Sequence, residues 1–278
     1  MQTPPKLTDR QALLRNRTRA LQSATPALFL HEEAVSEVQD RLSMVNRTFT
    51  DVAVVTGFPA RWAAAFPGAT IVADEDTLAL NPGSFDLVIH AMALHWAGDP
   101  VGQLVQARRA LRPDGLFMAV FFGGQTLHEL RSCLGEAESR TSGNLSLRIL
   151  PMGEIRDLGG LLQRAGFALP VADSAPRHVT YESAFHLMRD LRAMGESNAL
   201  AQRNRRPARR NLFTTAADIY ADTYPAGDGR IQATFEMLVL TGWAPDESQQ
   251  KPLRPGSARA RLADALKAEE FKLPDRAG

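Results

Sequence analysis

A single cysteine in 278 residues, Cys133, excludes an internal disulfide framework and any zinc or iron–sulfur site built from several cysteines of one chain. A reducing compartment fits that usage. No apolar run approaches the roughly 18 residues that a membrane-spanning helix needs, so a soluble protein without a transmembrane segment is expected. Neither sign of charge dominates. With 32 Lys and Arg against 31 Asp and Glu the net charge is +1, which removes any global electrostatic demand for nucleic acid. Internal repeats are lacking as well. The opening segment, MQTPPKLTDRQALLRNRTRA, is basic but has no apolar stretch of the secretory kind. It is read as part of the fold, with organelle targeting as the alternative that its arginines leave open.

What is present is an ordinary globular composition, 44% hydrophobic, on a chain long enough for one large core carrying an inserted subdomain. Residues 84–96, SFDLVIHAMALHW, organise the rest. Leu87, Val88 and Ile89 suit a strand covered on both faces, and polar residues gather only at its carboxyl end. In open α/β sheets that end is where ligands bind.

Upstream, residues 9–47 carry apolar positions at helical spacing, with Leu13, Leu14, Leu21, Phe29, Leu30, Val35, Val38, Leu42 and Val45 as core candidates. Two helices broken near Pro26 are expected, with Arg15, Arg17 and Arg19 on a solvated face. Residues 51–57, DVAVVTG, form a β-branched run, followed by a short helix over 61–66 and a strand over 69–73, a β-α-β start. Asp99 is placed as a helix N-cap with Pro100 in the first turn. Residues 116–122 form a further strand, 154–165 a helix and 167–171 a short strand. Residues 181–222 turn helical and arginine-rich, which interrupts the alternation as an inserted cap would. Residues 231–240 give a late strand, and beyond Pro245 the chain reads as an extended tail.

Taken together, SFDLVIHAMALHW, RRALRPDG, LFMAVFFGG, TLHELR, RDLGGLLQRAGFALPVAD, RDLRAMGESNAL and DGRIQATFEMLVLTGWAP resemble class I S-adenosylmethionine (SAM) methyltransferases. More narrowly they are similar to the branch that holds the malonyl-carrier-protein O-methyltransferase of biotin synthesis and a respiratory complex I assembly factor that acts as an arginine hydroxylase. The RDLRAMGESNAL and GWAP segments point to the assembly-factor side. The resemblance implies a Rossmann-like α/β sheet with an amino-terminal helical arm over 1–50 and a core over 51–174. It also implies a helical cap over 175–230, a last core strand over 231–244 and a tail over 245–278.

Two departures from the family stand out. The glycine-rich turn after the first strand is reduced to VVTGFPA, with Pro59 unable to offer an N–H. The interval between Gly57 and Asp86 holds one helix and one strand, so residues 71–73 are assigned to the family's third strand and the second is taken as missing. By resemblance, SAM would meet Gly57, His90, Ala91 and Leu94, with Asp74 or Glu75 taking over the ribose contact. His95 would stand as the base near the acceptor. Trp96, Arg189, Arg192, Glu196 and Asn198 would meet a protein or carrier-protein acceptor, the former class including a respiratory complex I subunit. The implied activity is SAM-dependent methyl transfer, with protein arginine hydroxylation the lesser alternative. A non-catalytic assembly or binding protein that has lost SAM is the competing expectation. The location expected is cytoplasmic, or the mitochondrial matrix in a eukaryote. No metal site is expected, because the spacing of His90, His95, Asp99, His128 and Glu129 specifies none. Ser84 and Cys133 lack a nucleophile's setting and are taken as structural.

Overall fold

A computed structural model describes residues 6–143 and 145–250. Residues 6–245 lie in one compact unit, and the assignment of 251–278 to a tail falls outside the described residues. The amino-terminal arm is α1 (Arg10–Leu21) and α2 (Phe29–Ser43), separated near Pro26 as expected. Asp9 caps α1 by accepting from the Ala12 N–H at 3.1 Å. The core begins with β1 (Val52–Thr56), α3 (Pro59–Ala65) and β2 (Thr70–Val72). Next come β3 (Phe85–Ala91), a 3-10 turn (Leu94–Trp96), α4 (Pro100–Ala110) and β4 (Leu111–Phe122). The remainder is α5 (His128–Ser142), α6 (Ile155–Arg164), β5 (Ala168–Tyr181), α7 (Ala184–Ala193), α8 (Arg210–Thr223), β6 (Pro225–Ala226) and β7 (Arg230–Trp243).

The strands form one seven-stranded sheet in the order β2-β1-β3-β4-β7-β5, with β6 paired to β7. β2, β1, β3 and β4 run parallel, while β7 is antiparallel to both β4 and β5. Alternation along β4 sorts the core into two layers. Met118, Val120 and Phe122 face α2, α3, α5, α7 and α8, whereas Phe117, Ala119 and Phe121 face α4 and α6. Every residue of β3 is buried, as its apolar run requires of a central parallel strand.

Among the described residues one strand lies outside β1; it pairs directly with β1, Val54 opposite Ile71, so the place beside β1 is filled. Three expectations need correction. The strand that was to end at 171 runs on to Tyr181, so residues 175–181 of the expected cap are sheet, paired along their length to β7. Leu14 and Leu21 are each 47% exposed and lie outside the core. Arg17 belongs to no solvated face, for its side chain is 3% exposed. It lies one turn from the buried Leu13 and three residues from the buried Ala20.

Candidate functional site

The carboxyl ends of β1 and β3 are where a cofactor would sit, and the arm fills that place. Arg17 reaches down from α1 and donates from Nη1 to both carboxylate oxygens of Asp74, at 2.9 and 2.8 Å. Arg10, two turns earlier on the same face, donates to Asp74 Oδ1 at 2.8 Å. Burial alone would raise the pKa of Asp74, but the hydrogen bond from Arg10 and the charge of Arg17 outweigh it and hold the carboxyl below its ordinary range. The Arg17 guanidinium lies against Gly57: a Cβ there would come 2.2 Å from Nη1. Gly195 closes from the other side, where a Cβ would stand 3.1 Å from the Arg17 Cα and the backbone φ is +81°. Arg17 Nε and Nη2 have no hydrogen-bond partner, and its Cζ lies 5.8 Å from the centre of the Phe58 ring.

The loop after β1 offers little to a ligand. The Phe58 N–H is spent on Thr56 Oγ1 at 3.1 Å, and Pro59 serves as the first residue of α3. Phe58 and Trp62 are fully buried, and Trp62 donates to His31 Nδ1 at 3.2 Å. His31 is therefore neutral, with burial pulling its pKa down to about 4.

His90 does not face a pocket. Gln103 donates to the Glu75 carbonyl at 2.8 Å, which orients its amide so that Oε1, 2.8 Å from His90, accepts from the protonated Nε2. Burial lowers the His90 pKa to about 4 against the raising effect of that bond. Ala91 is buried between β1 and β4, and the Glu75 side chain points to solvent. Asp74 is thus spent within the protein, and Glu75 lies away from the site. The residues at 57, 74, 75, 90 and 91 do not fit a bound SAM in this arrangement. The space is occupied, and the carboxylate that would hold the ribose already has two cations.

After β3 the chain turns through Met92, whose φ of +51° is costly for a residue with a Cβ. That turn lays residues 94–96 across the sheet end. Trp96 Nε1 donates to Glu196 Oε2 at 2.7 Å, and His95 Nε2 lies 3.3 Å from the same oxygen. Desolvation works to raise the pKa of Glu196, and the charge and hydrogen bond of His95 reverse it, so the carboxyl is held below its ordinary value. Two cavities flank this cluster. One, of about 250 Å³, is lined by Trp96, Arg192, Glu196 and Asn198 together with side chains of β4, α5, α7, α8 and β7. Four of the five residues expected on the acceptor side therefore share one cavity, while Arg189 is exposed on α7 and does not line it. The other, of about 170 Å³, is lined by Leu94 and His95 with Phe121 and Met152, so His95 faces away from the larger space.

Arg17 and Arg148 were missed. For Arg17 the signal lay in its spacing from Leu13 and Ala20; for Arg148, in a loop, there was none. Among the described residues no group of three His, Cys, Asp or Glu side chains converges to hold a metal ion. Cys133 is buried, and desolvation pushes its thiol up to about 11, away from nucleophilic use.

Residues 40–119 match a methyltransferase-domain family. Over 266 residues the chain is 35% identical to the zebrafish (Danio rerio) protein named arginine-hydroxylase NDUFAF5, mitochondrial, covering 86% of this chain and 82% of that one. The chain belongs to the NDUFAF5 family of methyltransferase-fold proteins. The human NDUFAF5 is 38% identical over 208 residues, 75% of this chain and 60% of its own, so the chain spans about three fifths of that relative. A malonyl-[acyl-carrier protein] O-methyltransferase of Laribacter hongkongensis is 35% identical over 188 residues, 68% of this chain and 61% of that one. Among solved structures, the YcgJ protein of Bacillus subtilis superposes with a TM-score of 0.50 at 13% identity, covering 78% of this chain and all of that one, a likeness of fold. SAM binding is what membership of a methyltransferase-domain family implies, and the NDUFAF5 relatives carry mitochondrial names. No helix among the described residues is long and apolar enough to cross a membrane.

Proposed function

We propose that this chain is a binding protein of the NDUFAF5 branch that keeps the methyltransferase fold, does without SAM and acts by holding a protein partner. One observation carries the reading: the Arg17 guanidinium lies where the cofactor would approach Gly57 and neutralises Asp74, the carboxylate expected to hold the ribose. The partner class follows from the resemblance, which points to a subunit of respiratory complex I. The setting is then the cytoplasm of a bacterium or the matrix of a mitochondrion. Calorimetric titration of the full chain with SAM tests it, with a malonyl-carrier-protein methyltransferase as the positive control. No saturable heat is expected, and micromolar binding to the unmodified chain would overturn it.

A second reading, SAM-dependent methyl transfer to a protein or carrier-bound acceptor, is favoured by the His95–Glu196 pair. A histidine held by a carboxylate is an arrangement that suits a base. The arginine hydroxylation in the relatives' names would leave a different mark. Mass analysis of a partner incubated with the chain separates the outcomes, since a gained methyl, a gained oxygen and no change are distinct.

A further inference from the structure

The larger cavity has a composition that its neighbours do not explain. Its wall is mostly apolar, with Phe122, Leu130, Leu134, Met188 and Phe213 among the lining side chains. A cavity of about 250 Å³ is far above what one water needs and has room for a ligand of several heavy atoms. Three charged side chains reach the wall. Glu196 is answered by Trp96 and His95, and Arg148 is bonded through Nη2 to Glu138 at 2.6 Å. Arg148 Nε, however, is buried with no partner, and Arg192 is exposed with none among the described residues. The unspent capacity of this wall is therefore that of a hydrogen-bond donor and a cation beside an apolar space.

We propose that the cavity binds a straight aliphatic chain of medium length ending in an anion, with the chain among the α5, α7 and α8 side chains and the anionic end on Arg192 and Arg148 Nε. An apolar pocket with a few convergent polar groups is the usual form of a small-molecule site. The anion this describes is a free fatty carboxylate. The inference does not depend on the fate of SAM, and the two titrations fail separately.

The test is titration of the full chain with decanoate, followed by calorimetry and by tryptophan fluorescence, since Trp96 lines the space. Decanoate should bind one to one, and acetate should not bind. Decylamine, which carries the opposite charge on the same chain, should bind at least tenfold more weakly. Arg192→Glu changes an exposed residue and should fold normally while losing at least tenfold in decanoate affinity. Met188→Trp should fill the space and abolish binding. Failure of decanoate to saturate, equal affinity for decylamine, or an unchanged affinity in Arg192→Glu would each overturn the proposal.

Discussion

The β1 side and the β4 side of the same sheet end have been built on opposite terms. Beside β1, space is filled and charge is compensated: Arg17 covers Gly57, and Asp74 answers both Arg17 and Arg10. Beside β4 a cavity of about 250 Å³ stands open, and Arg192 at its wall has no partner among the described residues. Fewer than ten residues, from Met92 to Ala97, separate the two regions along the chain. The contrast teaches that one half of a sheet end can be filled by a helical arm while the other half keeps an open cavity.

The sharpest way to break the comparison is at Asp74. Asp74→Ala leaves Arg17 buried and without its carboxylate, and removing one partner of such a pair costs about 3–5 kcal/mol. Urea unfolding of the variant should show that loss, while Arg192→Ala, beside the empty cavity, should stay within about 0.5 kcal/mol of the parent.

Acid is the next largest lever. His31 and His90 are both held near 4 against an ordinary 6.5, so the unfolded chain takes up protons first as pH falls. Their contribution is intact above about 6.5 and is lost progressively toward 4, amounting to about 2 kcal/mol for each at pH 5. Unfolding midpoints at pH 7.5 and pH 5 measure it, and His90→Gln should remove about half of the drop.

The smallest effect is at Gly57. In a methyltransferase with an open cleft an added methyl would meet solvent or cofactor. Here Gly57→Ala must push the Arg17 guanidinium off Asp74, and overpacking of this sort costs about 1–3 kcal/mol. A variant as stable as the parent would mean that the arm is held more loosely than its contacts indicate.

Much of this architecture was legible in the residues. The unbroken apolar run of 87–89 marked the central strand, Asp99-Pro100 marked the start of α4, and the shortened stretch between Gly57 and Asp86 announced the lost strand. The length of β5 was not legible. Its Pro176 and its half-exposed pattern are tolerated because it is an edge strand paired only to β7. The acceptor-side residues Trp96, Arg192, Glu196 and Asn198 came from resemblance and do converge on one cavity. The filling of the cofactor side was hidden, because an arginine in a basic helix looks solvated until its partner, 57 residues away, is known.

The arm is fastened by late sequence. Asp9 N–H donates to the Ala199 carbonyl at 2.8 Å, Asn16 to the Ser197 carbonyl at 2.9 Å, and Thr8 bridges to Leu200. During synthesis at ~5–20 residues per second, the ribosome needs about 10–40 seconds to pass from α1 to that stretch. Until then α1 is held through Asp74, and its cover over the β1 end of the nascent sheet lacks these fastenings. The newborn chain and the finished protein therefore offer different surfaces to the metabolites and chaperones around them.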